Sequence, residues 1–336
     1  GSSCVGSRTA MWLRQFCACA MSEAAPPAIP SQEFYQTYIG HHPEHLERVL
    51  AALRSGPQGS DGPRPVVFLA GDSTLDNKHW LFEQRSKTDL ESYLDDRLSA
   101  EAIGEYGKVL DPPRMVRDVA FWLTSAGDSA RHSFVALNTA VEESIISGRS
   151  RDLLPQDAFI RDNITSNDIL IISAGGNDVA LKPTLGTQAA LAKLIAGQRD
   201  EAMAYFRRLF KEEMESFASC LVAKSKPRLV IVCMLYFLDE SSSQQGFADD
   251  TLRRLGYNED PGVLQGIIRA VYEDAVRQVS VDGTQVVPFP LFEVLDGKDT
   301  RDYLHRVEPS VVGGEKMANA LAQVISDHLG IADKKK

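Results

Sequence analysis

The chain has 336 residues, 43% apolar and 24% charged, enough for one large or two ordinary domains with a core that needs no disulfides. Its 36 Lys and Arg face 46 Asp and Glu, a net charge of −10, which argues against a nucleic-acid partner, since phosphate binding needs an excess of cations. No apolar run reaches the about 20 residues of a membrane span.

In chain order, residues 1–30 are rich in Ser, Ala and Pro and read as a flexible tail. Three of the five cysteines (Cys4, Cys17, Cys19) lie there, with Cys220 and Cys233 far downstream. That arrangement makes neither a disulfide framework nor a zinc pattern. "MWLRQFCACAM" is too short for a convincing signal peptide, and a cytoplasmic protein is the expectation. Residues 31–63 form a helical extension and linker. In "HPEHLERVLAALRSG", Pro43 opens a helix, Leu46, Val49, Leu50 and Leu53 share a face, and Gly56 stops it. "PQGSDGPRP" is a linker by composition.

Residues 64–331 carry five apolar runs of strand length: Val66–Ala70, Ser133–Asn138, Asp168–Ala174, Arg228–Tyr236 and Thr284–Phe289. Continuous apolar runs suit parallel strands buried on both faces. Helical patterns such as "AALAKLIAG", "DEAMAYFRRLFKEEMESFASCLVAK" and "VLQGIIRAVYEDAVRQV" alternate with them, which predicts a doubly wound α/β sheet. Residues 332–336 are a basic, solvated tail.

Gly-Asp-Ser occurs twice. At Gly71-Asp72-Ser73 it closes the first apolar run, and "TLDNKHWLFEQ" after it can start a helix. Ser73 is then at the carboxyl end of a strand, where open α/β sheets bind ligands. Gly71 permits the turn, while Asp72 and Asp76 suit the first helical turn. At Gly127-Asp128-Ser129 only three residues precede the next strand, and the expectation is a turn without a helix.

A serine hydroxyl is a poor nucleophile until a base takes its proton. Among seven histidines, "HHPEH" (His41, His42, His45) matches a zinc pattern in letters only, because Pro43 puts His41 outside the helix. His79 is too close to Ser73 in sequence, His132 precedes a strand and His328 sits in the last helix. His305 lies between the last strand and the last helix, with Asp302 three residues before it. That spacing lets a carboxylate fix the tautomer of an imidazole and stabilise the imidazolium. In "IISAGGNDVAL" a strand ends in Gly175-Gly176-Asn177-Asp178, where an Asn amide can donate to an oxyanion, although Gly and Asn are also common turn residues.

These blocks resemble the SGNH hydrolases, the GDSL esterases and lipases. "GDSTLD" resembles their first block, "GGND" the third, "DYLH" the last, and "VEPSVVGGEKMA" an ending seen in one branch of these proteins. The resemblance runs from about Val66 to Leu329 with the blocks in order. It implies a three-layer α/β/α sandwich with a five-stranded parallel sheet of flavodoxin type, no metal and no cofactor. It implies Ser73 as nucleophile, Asp302 and His305 completing a triad, and an oxyanion hole from Asn177 and the N–H groups of Ser73 and Ala140. Gly71, Asp72, Asp76 and Gly175 support the site. Two departures stand out: Ala140 occupies the position of a second-block Gly, and Arg306 follows His305 where many relatives have Pro.

The implied activity is that of a serine esterase or lipase acting on a small-molecule or lipid ester through an acyl-enzyme. An acyltransferase using the same acyl-enzyme and a non-catalytic binding module of the same fold remain as alternatives. The long connections Leu81–His132 and Val179–Pro227, and the segment "LDESSSQQGFADDTLRRLGYNEDPG", are expected to shape the pocket mouth. Trp80, Phe82 and Trp122 are either acyl-site or core residues. Neither the acyl group nor the oligomeric state is written in the sequence.

Overall fold

A computed structural model of the chain describes residue 1 and residues 27–56, 62–82, 94–130, 133–243 and 246–331. The three tail cysteines, residues 57–61 of the linker, His132 and the Lys334–Lys336 run lie outside the described residues. Five strands form one parallel sheet: β1 (Val66–Gly71), β2 (Val135–Asn138), β3 (Ile169–Ser173), β4 (Leu229–Met234) and β5 (Gln285–Pro290). Their spatial order is β2-β1-β3-β4-β5, the flavodoxin-like order 2-1-3-4-5. All five apolar runs read as strands are these strands, with ends shifted by one or two residues.

The sheet is buried because each strand offers apolar side chains to both faces. Val66, Phe68 and Ala70 join one apolar cluster, with Leu170, Ile172, Val230 and Val232. Val67 and Leu69 join the other, with Ile169, Ile171, Leu229 and Ile231. This period of two across a doubly covered sheet is what continuous apolar runs encode. β5 is an edge strand and carries Pro288 and Pro290, which lack the N–H a central strand would need.

Helices α1 (Ser31–Gln36) and α2 (Pro43–Arg54) precede the sheet. Leu46, Val49, Leu50 and Leu53 of α2 enter the first cluster, and Arg54 grips the Asp168 carboxylate at 2.7 and 2.6 Å. Helix α3 (Val119–Ser129) is capped by Asp118, whose carboxylate accepts the Phe121 N–H at 2.8 Å. It carries the second Gly-Asp-Ser, so the expectation of a turn without a helix there is corrected. Five residues, 130–134, suffice to return the chain from the helix end to β2. A Cβ on Gly127 would meet the Phe134 carbonyl at 2.3 Å.

Beyond α4 (Pro155–Asn163), the chain after β3 builds α5 (Leu185–Ile195), α6 (Arg199–Arg207) and α7 (Met214–Leu221). A π-helical stretch, Arg208–Glu213, joins α6 to α7. After β4 come α8 (Asp249–Arg254) and α9 (Pro261–Asp274). Helix α10 (Val311–Leu329) closes the fold against α3. Its N-cap Ser310 accepts the N–H groups of Val312 and Gly313, each at 3.1 Å.

Candidate active site

Ser73 sits where the sheet reverses direction, at the carboxyl end of β1 between β2 and β3. Gly71 has φ 134°, and a Cβ there would come within 1.7 Å of the Ser173 carbonyl of β3. Only glycine lets β1 leave the sheet this close to its neighbour. The chain then turns tightly, the N–H groups of Leu75 and Asp76 returning to the Asp72 carbonyl at 3.1 and 3.0 Å. A helix does not begin at Ser73. The next helical residues are the single turn Lys78–Leu81, so a helix dipole contributes little at the hydroxyl. Ser73 is 7% exposed and Asp72 2%. Burial pushes the Asp72 carboxyl up to about 6, opposed by hydrogen bonds from Thr74. The Asp76 carboxylate holds Lys78 Nζ at 2.5 and 2.7 Å, both side chains fully buried.

Asn177 follows β3. Gly175 takes φ 107° beneath the Phe210 ring, which a Cβ would meet at 2.7 Å. The π-helical stretch delivers Phe210 to that place. Asn177 Nδ2 donates to the Ser144 carbonyl at 3.0 Å, which aims the amide and leaves its second hydrogen for another acceptor. The neighbouring Asp178 is structural: its carboxylate accepts the N–H groups of Ile146 and Ser147 at 2.8 and 3.0 Å.

The expected oxyanion role of Ala140 is corrected. Ala140 is fully buried, and its N–H donates to Asn138 Oδ1 at 3.1 Å. An N–H spent inside the fold is not offered to a ligand. The segment beside the Asn177 amide is Glu143-Ser144, where Glu143 holds φ 55°, a backbone conformation common only for glycine.

Ser73 and Asn177 both line one cavity of about 120 Å³. From them it runs into an apolar interior formed by Leu191 and Leu194 of α5, Phe206 and Phe210, Leu252 of α8, and Ile268 of α9. The connections after β3 and β4 therefore build the pocket, as their length suggested. Trp80, Phe82 and Trp122 are not among its lining residues, and Phe82 and Trp122 pack in the core.

The structure does not bring Asp302 to His305. Asp302 ends a 3₁₀ turn, and its carboxylate pairs with Lys316 Nζ of α10 at 2.7 Å. His305 and Arg306 are the central residues of a β-turn closed by the Val307 N–H on the Leu304 carbonyl at 3.1 Å, with φ 51° and 69°. That double left-handed geometry swings His305 towards Trp80, ring centroids 5.8 Å apart, and His305 is not a lining residue of the cavity. The triad spacing is correct in sequence, but the turn sends its two ends to different places.

Glu308, inside "VEPSVVGGEKMA", also lines the cavity. It is 3% exposed, as is Glu142. Burial pushes the Glu142 carboxyl well above the usual range, reinforced by the charges of Glu308 and Asp76. "HHPEH" is structural, with His41 buried, stacked on Phe34 at 3.9 Å and bonded to the Phe34 carbonyl through Nδ1. Among the described residues no His, Cys, Asp and Glu group suits a metal ion, and no helix is long and apolar enough to cross a membrane.

No protein-family model matches the chain, and no curated protein matches it. Among solved structures, the chain is similar to a family 3 carbohydrate esterase of Clostridium thermocellum, at 12% identity and TM-score 0.38 over 80% of this chain and 99% of that one. It is similar to a family 3 carbohydrate esterase of Talaromyces cellulolyticus, at 14% identity and TM-score 0.37 over 80% and 100%. These likenesses are distant. The strand order 2-1-3-4-5 is that of a flavodoxin-like α/β fold, with Gly71-Asp72-Ser73 closing the first strand and Gly176-Asn177-Asp178 following the third.

Proposed function

We propose that the protein hydrolyses carboxylic esters with an apolar acyl chain, through an acyl-enzyme on Ser73. The observation that carries this reading is the placement of Ser73 and Asn177 on one cavity whose interior is apolar. The acyl chain lies among Leu191, Phe206 and Ile268, which holds the ester carbonyl beside the serine. Ser73 Oγ attacks the carbonyl carbon. Asn177 Nδ2 donates to the oxygen as it becomes negative, aided by the Ser73 N–H. The alcohol leaves, and water releases the acid in a second half-reaction.

The test is a series of p-nitrophenyl esters from acetate to laurate on wild type and Ser73→Ala. kcat/KM is expected to rise with chain length up to the capacity of the cavity and to vanish in Ser73→Ala. A preference for acetate, or activity that survives Ser73→Ala, contradicts the reading.

A further inference from the structure

Residues 37–42, which join α1 to α2 ahead of the sheet, reach the place where the Asn177 amide is held. We propose that Tyr38, in this segment, is a positioning residue that fixes the Asn177 amide through the Glu143-Ser144 corner, a role that rests on the hydrolase reading above.

The contacts form an unbroken chain. Tyr38 Oη donates to Glu143 Oε1. The Tyr38 ring also meets the His79 ring, with centroids 4.3 Å apart and planes at 66°. His79 belongs to the single helical turn that follows Ser73, so one side chain touches both the Ser73 side and the Glu143 side. Ser144 comes next after Glu143, and its carbonyl accepts Asn177 Nδ2 at 3.0 Å. Ser144 Oγ donates to the Gly71 carbonyl at 2.8 Å and accepts Arg149 Nη1 at 2.6 Å, which ties the same corner to the end of β1. Lys182 closes the circuit. Its Nζ donates to the Glu143 carbonyl at 3.1 Å and pairs with Glu143 Oε2 at 3.0 Å, while its N–H donates to the Asn177 carbonyl at 2.7 Å.

The corner needs such a hold. Glu143 has φ 55°, and a non-glycine residue keeps that conformation only where its surroundings over-determine it. Tyr38, then Lys182, hold the Glu143 carboxyl below its usual range, so it is ionised at neutral pH and accepts from both. An exposed ion pair alone contributes little, and the Lys182 and Glu143 side chains are 48% and 36% exposed. Tyr38 adds an anchor that is itself fixed. Two residues on, Gly40 takes φ 83° so close to the end of β2 that a Cβ would meet the Ala140 carbonyl and Val141 Cγ2, each at 3.1 Å. Gln156 Nε2 then donates to the His41 carbonyl at 2.9 Å. With one amide hydrogen on the Ser144 carbonyl, the direction of the other follows the position of Ser144. That direction matters most when the substrate oxygen carries its full charge, so the effect belongs in kcat and not in KM.

The experiment measures kcat and KM for p-nitrophenyl octanoate, with melting temperatures, in wild type, Tyr38→Phe, Asn177→Ala and the double variant. Tyr38→Phe keeps the ring against His79 and removes only the hydroxyl. It is expected to lower kcat about tenfold with KM within about twofold, while melting near wild type. In the Asn177→Ala background the same change should alter kcat by less than about twofold, because the group that Tyr38 positions is gone. Should Tyr38→Phe not fold, Lys182→Met, which removes the other hold on Glu143, decides: a comparable loss of kcat supports the proposal and a wild-type kcat overturns it. A Tyr38→Phe kcat within about twofold of wild type overturns it, as does a loss confined to KM or an equal loss in both backgrounds. Wild-type protein that turns over no ester overturns the hydrolase reading together with the positioning role. Turnover that is unchanged in Tyr38→Phe removes only the positioning role.

Discussion

At the scale of single residues, the site depends on groups whose polarity is set by burial. Asn177 bonds Ser144 with one amide hydrogen, so replacing it removes a structural bond and, on the proposed mechanism, an oxyanion donor together. Asn177→Ala is expected to lose about 1 kcal/mol of stability and about 10²–10³ in kcat with little change in KM. A variant that melts lower but turns over like wild type would reduce Asn177 to a turn residue. Asp72 makes a second prediction through pH. Its carboxyl is raised from 3.8 to about 6 by burial, against the Thr74 hydrogen bonds. A carboxyl raised on folding contributes stability that is full below its unfolded pKa of about 3.9 and is lost as pH rises through about 6. Asp72→Asn keeps an acceptor for the Thr74 N–H but does not ionise. Its stability relative to wild type should therefore climb between pH 4 and pH 7, by up to about 3 kcal/mol. Urea unfolding at pH 4, 5.5 and 7 reads this directly, and parallel curves would contradict it.

At the scale of elements, the Ser73 turn belongs to the sheet and the apolar cavity to the insertions. β1 and β3 pair side by side, so Ser73 and Asn177 follow the ends of neighbouring strands, while α5, α6, the π-helical stretch, α8 and α9 supply the apolar wall. The two jobs are separable, so a wall residue can change specificity without touching the hydroxyl. Ile268 on α9 is 6% exposed and lines the cavity. Ile268→Trp should fill it, cutting kcat/KM for octanoate at least tenfold while butyrate changes less than threefold. Some loss of melting temperature from overpacking, about 1–3 kcal/mol, accompanies it. If both esters fall equally, the acyl chain does not lie there. The π-helical stretch has a comparable logic. An extra residue in the turn re-aims Phe210 over Gly175 and into the cavity, the kind of local departure common at functional sites.

At the scale of the whole molecule, the helices before β1 share the core of the sheet. Ile29, Phe34 and Leu46 belong to the same apolar cluster as Phe68 and Leu170, and Arg54 holds Asp168 at the entry to β3. Leu46 is fully buried, so Leu46→Ala should cost about 2–5 kcal/mol. It should lower one melting transition that also reports loss of Ser73 labelling. Two separate transitions, with the label lost only in the second, would show that α1 and α2 fold apart from the sheet.

The sheet was legible in the sequence because a strand buried on both faces needs an unbroken apolar run, and five such runs stand in Val66–Ala70 and its successors. Gly71, Ser73 and Asn177 were legible for a related reason: a strand that stops at Gly-Asp-Ser or Gly-Asn-Asp must turn at the carboxyl edge of the sheet. Other features were decided by contacts far apart in the chain. Whether the second Gly-Asp-Ser is helical depends on α3 packing against α10. The Ala140 N–H is spent on Asn138, whose amide also reaches the Ser73 turn at the Leu75 carbonyl, 3.3 Å away. Above all, Asp-x-x-His spacing says nothing about direction. Two left-handed residues at His305 and Arg306 send the imidazole to Trp80, while Asp302 pairs with Lys316. The bond that ties the turn after Ser73 to the segment before the last helix joins Asn77 to Pro309 across 232 residues. Spacing along a chain determines which groups are near in sequence; backbone dihedrals and distant packing determine which of them meet.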